Sequence, residues 1–147
     1  MIYEVRTLNL KPGAVAEFEN RFAEAYEHRK KYSELAAFWH TEIGPLNQIV
    51  AVWPYKDLED RKRIREAAAK DSNWPAKTGE FVLSAQADIV TLTPFSPELK
   101  PAKMGPFFEM RTYTVPVGEF PLMIENWTFA MPRRLTFSPV CAVLSVR

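Results

Sequence analysis

One stretch of the sequence, residues 33–55, constrains the fold more than any other. It holds two runs rich in β-branched and aromatic residues, 35–42 and 48–53, which are separated by the turn-forming dipeptide Gly44-Pro45. We therefore predict a β-hairpin. Successive side chains of a strand point to opposite faces, and the second run is largely apolar on both, so each face needs a cover. One cover is expected from helices of this chain, and the other from a further domain, a ligand or a second copy.

The apolar pattern of residues 1–97 predicts one α+β domain of the ferredoxin-like type. The predicted elements are, in order, a strand (2–10), a helix (14–31), the hairpin, a helix (58–70) and a strand (87–93). Asp57 is the expected N-cap of the second helix. In this β-α-β-β-α-β arrangement, two helices pack on one face of an antiparallel sheet and leave the other face open.

The later part of the chain repeats its beginning. The segment YEVRT at residues 3–7 returns as FEMRT at residues 108–112, and Arg29 matches Arg134 at the same offset. We predict a complete domain at 1–97, a proline-rich linker at 98–106 and a truncated second repeat, a β-α-β fragment, at 107–147. Pro132 falls inside the helix of that second repeat and is expected to shorten or kink it.

Several motifs of the first domain are specific when taken together. They are YEVRT (3–7), KPG (11–13), SEL (33–35), FW (38–39), TEIGPLN (41–47) and WPY (53–55). On these motifs the chain resembles the NIPSNAP family over about its first 97 residues and in part beyond them. The resemblance implies a ferredoxin-like domain that pairs sheet to sheet as a dimeric α/β barrel, and many members carry two tandem domains. We therefore expect a homodimer.

Composition excludes several other classes of protein. A hydrophobic content of 47% and a charged content of 25% are typical of a globular domain, and a net charge of +1 favours no nucleic-acid partner. The single cysteine, Cys141, cannot form a disulfide within the chain. No apolar run reaches the ~18 residues of a membrane helix, so we expect no membrane insertion. No secretory leader is evident, and we expect a cytoplasmic protein.

Four polar residues are candidates for chemistry. Glu4 and Arg6 share one face of the first strand, where they could orient a ligand at the sheet surface or form an ion pair that sets register. His40 and Glu42 share a face of the next strand, where they could supply a general base or half of a metal site. A metal needs three or four converging ligands, so we expect no metal and no cofactor. The alternative interpretation of His40 and Glu42 is that they are polar residues at the mouth end of the strand, without a chemical role.

Aromatic residues of the hairpin suggest a binding pocket. Phe38, Trp39 and Trp53, with Trp74 farther along the chain, could line a pocket for a flat apolar or aromatic ligand, or could be core and interface residues. Asn47 could hold a ligand amide or close its own turn. We retain Phe38, Trp39, Asn47 and Trp53 as candidate ligand contacts.

The sequence favours a non-enzymatic role over an enzymatic one. It contains no phosphate-binding glycine loop, nucleophile elbow or Cys-x-x-Cys motif. The first hypothesis is therefore an interaction domain, or a small-ligand-binding domain, built as a dimeric barrel. The alternative, which rests on fold analogy, is an enzyme similar to cofactor-free monooxygenases or haem-degrading enzymes that acts on an aromatic or quinone-like compound.

Overall fold

A computed structural model describes residues 1–146 of the chain. Arg147, the last residue of the predicted second repeat, lies outside the described residues. The chain divides into two compact units, the first comprising Met1–Thr91 with Val146 and the second Leu92–Ser145.

The first unit has the predicted ferredoxin-like architecture. Its elements are β1 (Ile2–Leu10), α1 (Val15–Arg29), β2 (Ala37–His40), β3 (Gln48–Tyr55), α2 (Leu58–Ala68) and β4 (Val82–Leu92). These strands form an antiparallel sheet in the order β2-β3-β1-β4. The α+β fold class predicted from the alternation of strand and helix patterns is confirmed.

The register of β1, an inner strand, decides which residues face the helices. Glu4 lies opposite Trp53 of β3, and Arg6 lies opposite Ala51. The same face carries an apolar cluster formed by Leu35, Ala51, Trp53, Tyr55 and Ile64. Phe22 of α1 packs against this cluster. Glu4 and Arg6 are therefore directed to the layer between the sheet and the helices.

The opposite face of the sheet is also apolar. Val5 of β1 and Val50 and Val52 of β3 are buried. On the helix-facing side of β3, Ala51 and Trp53 are buried as well. The prediction that both faces of the second hairpin strand are withdrawn from solvent is thereby confirmed.

The ends of the elements follow from local hydrogen bonds. Asp57 caps α2 as predicted, because its carboxylate accepts a hydrogen bond of 2.8 Å from the Asp60 amide. β2 is shorter than the predicted run 35–42. Its start is displaced because the Leu35 amide donates to the Tyr26 hydroxyl at 2.9 Å. A short 3₁₀ turn, Gly79–Phe81, leads into β4, which begins five residues before the predicted residue 87.

The second unit departs from the predicted β-α-β fragment. It contains helix α3 (Phe120–Leu135) and most of a short strand, β5 (Leu144–Val146). Residues 107–116 form no strand, because sequence preference alone does not hold a strand without a paired neighbour. Pro132 lies inside α3, and the helix continues to Leu135, so it is not shortened there; a kink at Pro132 stays a prediction. Near the C-terminal end a proline removes only one of the last helical hydrogen bonds.

Candidate functional site

A cavity of about 520 Å³ lies within the first unit, between the helix-facing side of the sheet and α1 and α2. Its wall combines charged groups with aromatic rings. The charged groups are Glu4, Arg6, Arg29 and Arg65, and the rings include Phe18, Phe22, Trp53, Tyr55 and Trp74. The loop between α2 and β4 closes one side through Trp74 and Thr78. The cavity is thus built by elements from the whole first unit rather than by the hairpin alone.

A buried carboxylate stands at one end of this wall. Glu4 is fully buried and accepts hydrogen bonds from Arg61 Nε at 2.8 Å and from Arg61 Nη2 at 3.1 Å. Arg65 Nη1 donates a third bond at 3.0 Å, and Arg6 Nε lies 3.7 Å from Glu4 Oε1. A buried charge is tolerated only when it is paired in this way.

The arginines keep Glu4 ionised. Burial by itself would raise the pKa of Glu4, but the hydrogen bond and charge of Arg61, with the charges of Arg65 and Arg6, outweigh it. The pKa of Glu4 therefore lies below its usual value. With Glu4 negative and three arginines around it, the cluster carries an excess of positive charge.

Arg29, at the end of α1, is a second buried charge in the wall. Only 3% of the residue is exposed. Its Nη1 donates to the Ser33 carbonyl at 3.2 Å and to Ser33 Oγ at 2.9 Å, and its Nη2 donates to the Tyr55 hydroxyl at 3.4 Å. Among the described residues, no carboxylate forms an ion pair with it. Burial lowers the pKa of Arg29, although a guanidinium stays protonated in neutral water.

Aromatic rings provide the flat part of the wall. The Arg29 guanidinium lies 4.3 Å from the centre of the Trp53 ring. Trp53 and Trp74 meet edge to face with 6.2 Å between ring centres, and Phe22 meets Trp74 in the same way at 5.8 Å. Such contacts hold these large side chains in place in the cavity wall.

Three of the residues predicted from sequence, Glu4, Arg6 and Trp53, line the cavity. The predicted location of the charged pair at the sheet surface is corrected, because Glu4 lies under α2. The register of β1 directs Glu4 to the helix-facing side of the sheet, where Arg61 and Arg65 reach it from α2.

The other predicted residues lie away from the cavity wall. His40 Nδ1 is 2.7 Å from Glu19 Oε1, and His40 Nε2 is 2.8 Å from Glu42 Oε1, both at an exposed edge. These two hydrogen bonds, that to Glu42 first, raise the pKa of His40 above its usual value. Phe38 stacks on Phe22 with 4.7 Å between ring centres and belongs to the core.

Trp39 and Asn47 also fall outside the cavity wall. As the neighbour of Phe38 in β2, Trp39 projects from the opposite face of the sheet. Asn47 has a φ of 57° in the hairpin turn, and its carbonyl accepts a hydrogen bond of 2.8 Å from the Leu10 amide. Asparagine tolerates this left-handed conformation better than most residues. Whether any of these residues contacts a ligand stays a prediction.

Sequence reasoning missed most of the basic residues of the site. Arg61 and Arg65, which both pair with Glu4, are not among the residues predicted from the sequence. The available signal was spacing, because Arg61, Ile64, Arg65 and Ala68 share one face at helical intervals, and Ile64 and Ala68 are buried. Arg29 was identified from the sequence only as the residue that matches Arg134 in the predicted repeat.

Within residues 1–146 there is no group of three or more His, Cys, Asp and Glu side chains arranged to hold a metal ion. In the same range, no helix has the length and apolar character that a membrane crossing requires.

Comparison with known proteins gives a consistent relationship. The NIPSNAP family model matches residues 3–97. A protein NipSnap homolog from Dictyostelium discoideum is 44% identical over 73 residues, which are 50% of this chain and 33% of the relative. The protein NipSnap of Drosophila melanogaster is 36% identical over 99 residues, which are 65% of this chain and 36% of the relative. The chain thus spans about a third of the length of these two relatives.

Solved structures agree with this relationship. The crystal structure of protein Atu4242 from Agrobacterium tumefaciens is 33% identical, with a TM-score of 0.63, over 66% of this chain and 98% of that one. An uncharacterized NIPSNAP domain protein from Burkholderia xenovorans is 26% identical, with a TM-score of 0.62, over 67% of this chain and 100% of that one.

Proposed function

This chain belongs to the NIPSNAP family, and on that premise we propose that its first unit is a binding domain for a small aromatic ligand. The observation that carries the proposal is the cavity of about 520 Å³ beside Glu4 and Arg29. Ligand sites in proteins are usually concave and apolar, with a few fixed polar groups and volumes of roughly 300–1,000 Å³. The cavity has each of these properties.

The charged residues of the wall support binding rather than simple packing. Core positions of this kind are normally filled by apolar side chains, because burying a charge is costly. Here the buried charges of Glu4 and Arg29 both line the cavity, beside the rings of Trp53 and Trp74. Polar groups that converge on an apolar space give orientation and specificity to a bound molecule.

We assign no reaction to the cavity. The predicted general-base pair, His40 and Glu42, is held by Glu19 at an exposed edge and is not part of the wall. The oxygenase-type alternative has no specific observation in its favour, so binding is the proposed function.

We also propose that the chain forms a homodimer. The turn between β2 and β3 supports a protein contact there, because Ile43 and Leu46 are exposed by 95% and 62%. This turn thus exposes two large apolar side chains, and exposed apolar patches mark interaction surfaces.

Native mass spectrometry of the protein purified without added ligand tests binding and assembly together. The expected species is a dimer with a reproducible excess of small-molecule mass that disappears after partial denaturation and refolding. The Trp53→Ala variant should lose the excess, because it removes one of the two indole rings of the wall. A wild-type protein of bare chain mass that also fails to bind any added aromatic compound would refute the binding proposal.

A further inference from the structure

We infer that the ligand of this cavity is a planar aromatic molecule carrying an oxyanion, such as a carboxylate, and that Arg29 and Arg6 bind the oxyanion. This inference rests on the proposed function and specifies its ligand class. It follows from charge balance, from incompletely used hydrogen-bond donors and from the placement of the aromatic rings.

The charge balance of the cavity wall is positive. Arg6, Arg29 and Arg65 line the cavity, whereas Glu4 is the one acidic residue of the lining within the described chain. Glu4 is already engaged by Arg61, which donates two hydrogen bonds to it, and by Arg65. The negative charge of Glu4 therefore compensates mainly the two arginines of α2. Little of it balances the positive charges of Arg6 and Arg29.

Arg29 makes fewer hydrogen bonds than its guanidinium could donate. A guanidinium carries five N–H donors, and the contacts of Arg29 are two bonds to Ser33 through Nη1 and one long bond to Tyr55 through Nη2. All three acceptors are uncharged at neutral pH. A buried cation that meets only neutral acceptors is under-compensated, and an anion in the cavity would complete its pairing.

Arg6 offers a second unused donor. Its Nε atom is buried and has no hydrogen-bond partner among the described residues, and the nearest acidic atom, Glu4 Oε1, is 3.7 Å away. A buried donor without a partner is unusual, because it forfeits its bonds to water without replacement. A ligand oxygen would satisfy it.

The aromatic residues define the rest of the ligand. Trp53 lies under the Arg29 guanidinium at 4.3 Å and meets Trp74 edge to face. A flat ring system held against these indoles would bring an attached oxyanion toward the Arg29 side of the cavity. The same placement favours a carboxylate bonded directly to the ring over one on a long flexible chain.

Calorimetric titration with three probes of nearly equal shape tests the inference. The probes are 2-naphthoate, the neutral 2-naphthalenemethanol and the cationic 2-naphthalenemethylammonium. We expect 2-naphthoate to bind roughly tenfold or more tighter than the neutral probe, as charge-assisted hydrogen bonds allow. The cation should bind most weakly.

Two variants and one matched control locate the oxyanion. Arg6→Met and Arg29→Met should each reduce the preference for 2-naphthoate over the neutral probe. Arg134→Met is the control, because Arg134 makes the same pair of contacts to Ser138 in the second unit and does not line the cavity. It should leave the preference unchanged. Arg6 is partly exposed, so Arg6→Met stays informative if Arg29→Met fails to fold.

The outcomes separate this inference from the function on which it rests. Equal binding of all three probes, or tightest binding of the cation, would overturn the oxyanion while leaving a binding domain in place. A preference for 2-naphthoate that survives both variants would overturn the assigned arginines. Failure of every probe to bind would count against the binding domain itself.

Discussion

Arg29 and Ser33 are joined by two hydrogen bonds, from Nη1 to the Ser33 carbonyl at 3.2 Å and to Ser33 Oγ at 2.9 Å. These bonds close the C-terminal end of α1 and hold the guanidinium over Trp53. The same arrangement recurs at the end of α3, where Arg134 Nη1 donates to the Ser138 carbonyl at 3.2 Å and to Ser138 Oγ at 2.6 Å. Such a correspondence is what an internal repeat would produce, and the repeat itself stays a prediction.

Ser33→Ala should destabilise the first unit by about 1–2 kcal/mol, because it removes an acceptor from a buried charged donor. Ser138→Ala is the matched control, since its arginine partner is more exposed and water can replace the lost contact. Urea unfolding followed by circular dichroism measures both. Equal effects of the two substitutions would contradict the view that burial of Arg29 makes its contact the stronger one.

Glu4→Gln should destabilise the protein by about 3 kcal/mol, because it leaves Arg61 and Arg65 close together without the carboxylate that compensates them. Glu109→Gln provides the matched control at the equivalent position of the predicted repeat. Glu109 pairs with Arg111 on the surface, so its loss should have no measurable effect. A Glu4→Gln variant as stable as the wild type would show that the ionic cluster is dispensable for folding.

The pairing of Glu4 with its arginines should also make the stability of the protein depend on pH in the acidic range. The pKa of Glu4 is lower in the folded protein than its usual value of 4.5, so the contribution is fully present above that value. It is lost as pH falls below 4.5 through the folded pKa. Unfolding midpoints measured across this range should fall less steeply for Glu4→Gln than for the wild type. Parallel profiles would contradict a depressed pKa.

His40 should give a stability change of opposite sign. Its pKa is raised above 6.5 in the folded protein by Glu42 and Glu19, so its contribution is present below 6.5 and is lost as pH rises through the folded pKa. Titration of the imidazole by NMR should show the raised pKa directly. His40→Gln should flatten the neutral-pH part of the stability profile, whereas His28→Gln serves as the control. A His40 pKa at or below 6.5 would refute the prediction.

Ile43→Lys combined with Leu46→Lys should shift the proposed dimer toward monomer, because it places charge on the exposed apolar turn. Leu58→Lys is the control, since Leu58 is 59% exposed at the start of α2, away from that turn. Sedimentation velocity at micromolar concentration distinguishes the two masses. A wild-type monomer, or a dimer unaffected by the double substitution, would exclude this turn as the interface.

Local sequence patterns were sufficient for most of the secondary structure. Alternation marked β1 and β3, helical spacing marked α1, and the side chain of Asp57 marked the start of α2. They failed where a strand depends on its neighbours. Residues 82–86 join β4 through pairing with β1 although their apolar pattern is weak, whereas residues 108–112 have a strand-like pattern and form none.

The candidate site was predicted only in part. Glu4, Arg6 and Trp53 were identified because a period of two places them on defined faces of strands. Arg29, Arg61 and Arg65 were missed as site residues, since a basic residue on an amphipathic helix is normally solvated. Long side chains at the edge of an apolar stripe can turn inward, and a helical pattern does not show when they do.

The sequence by itself determined the order of the elements, the faces of the strands and the family, because these depend on residues close together in the chain. Only the tertiary structure decided that Glu4 meets Arg61, 57 residues away, and that Arg29 lies over Trp53 in a cavity without an acidic partner among the described residues. Contacts of this kind depend on how helices lie on the sheet. That arrangement results from packing of the whole unit, and no local pattern records it.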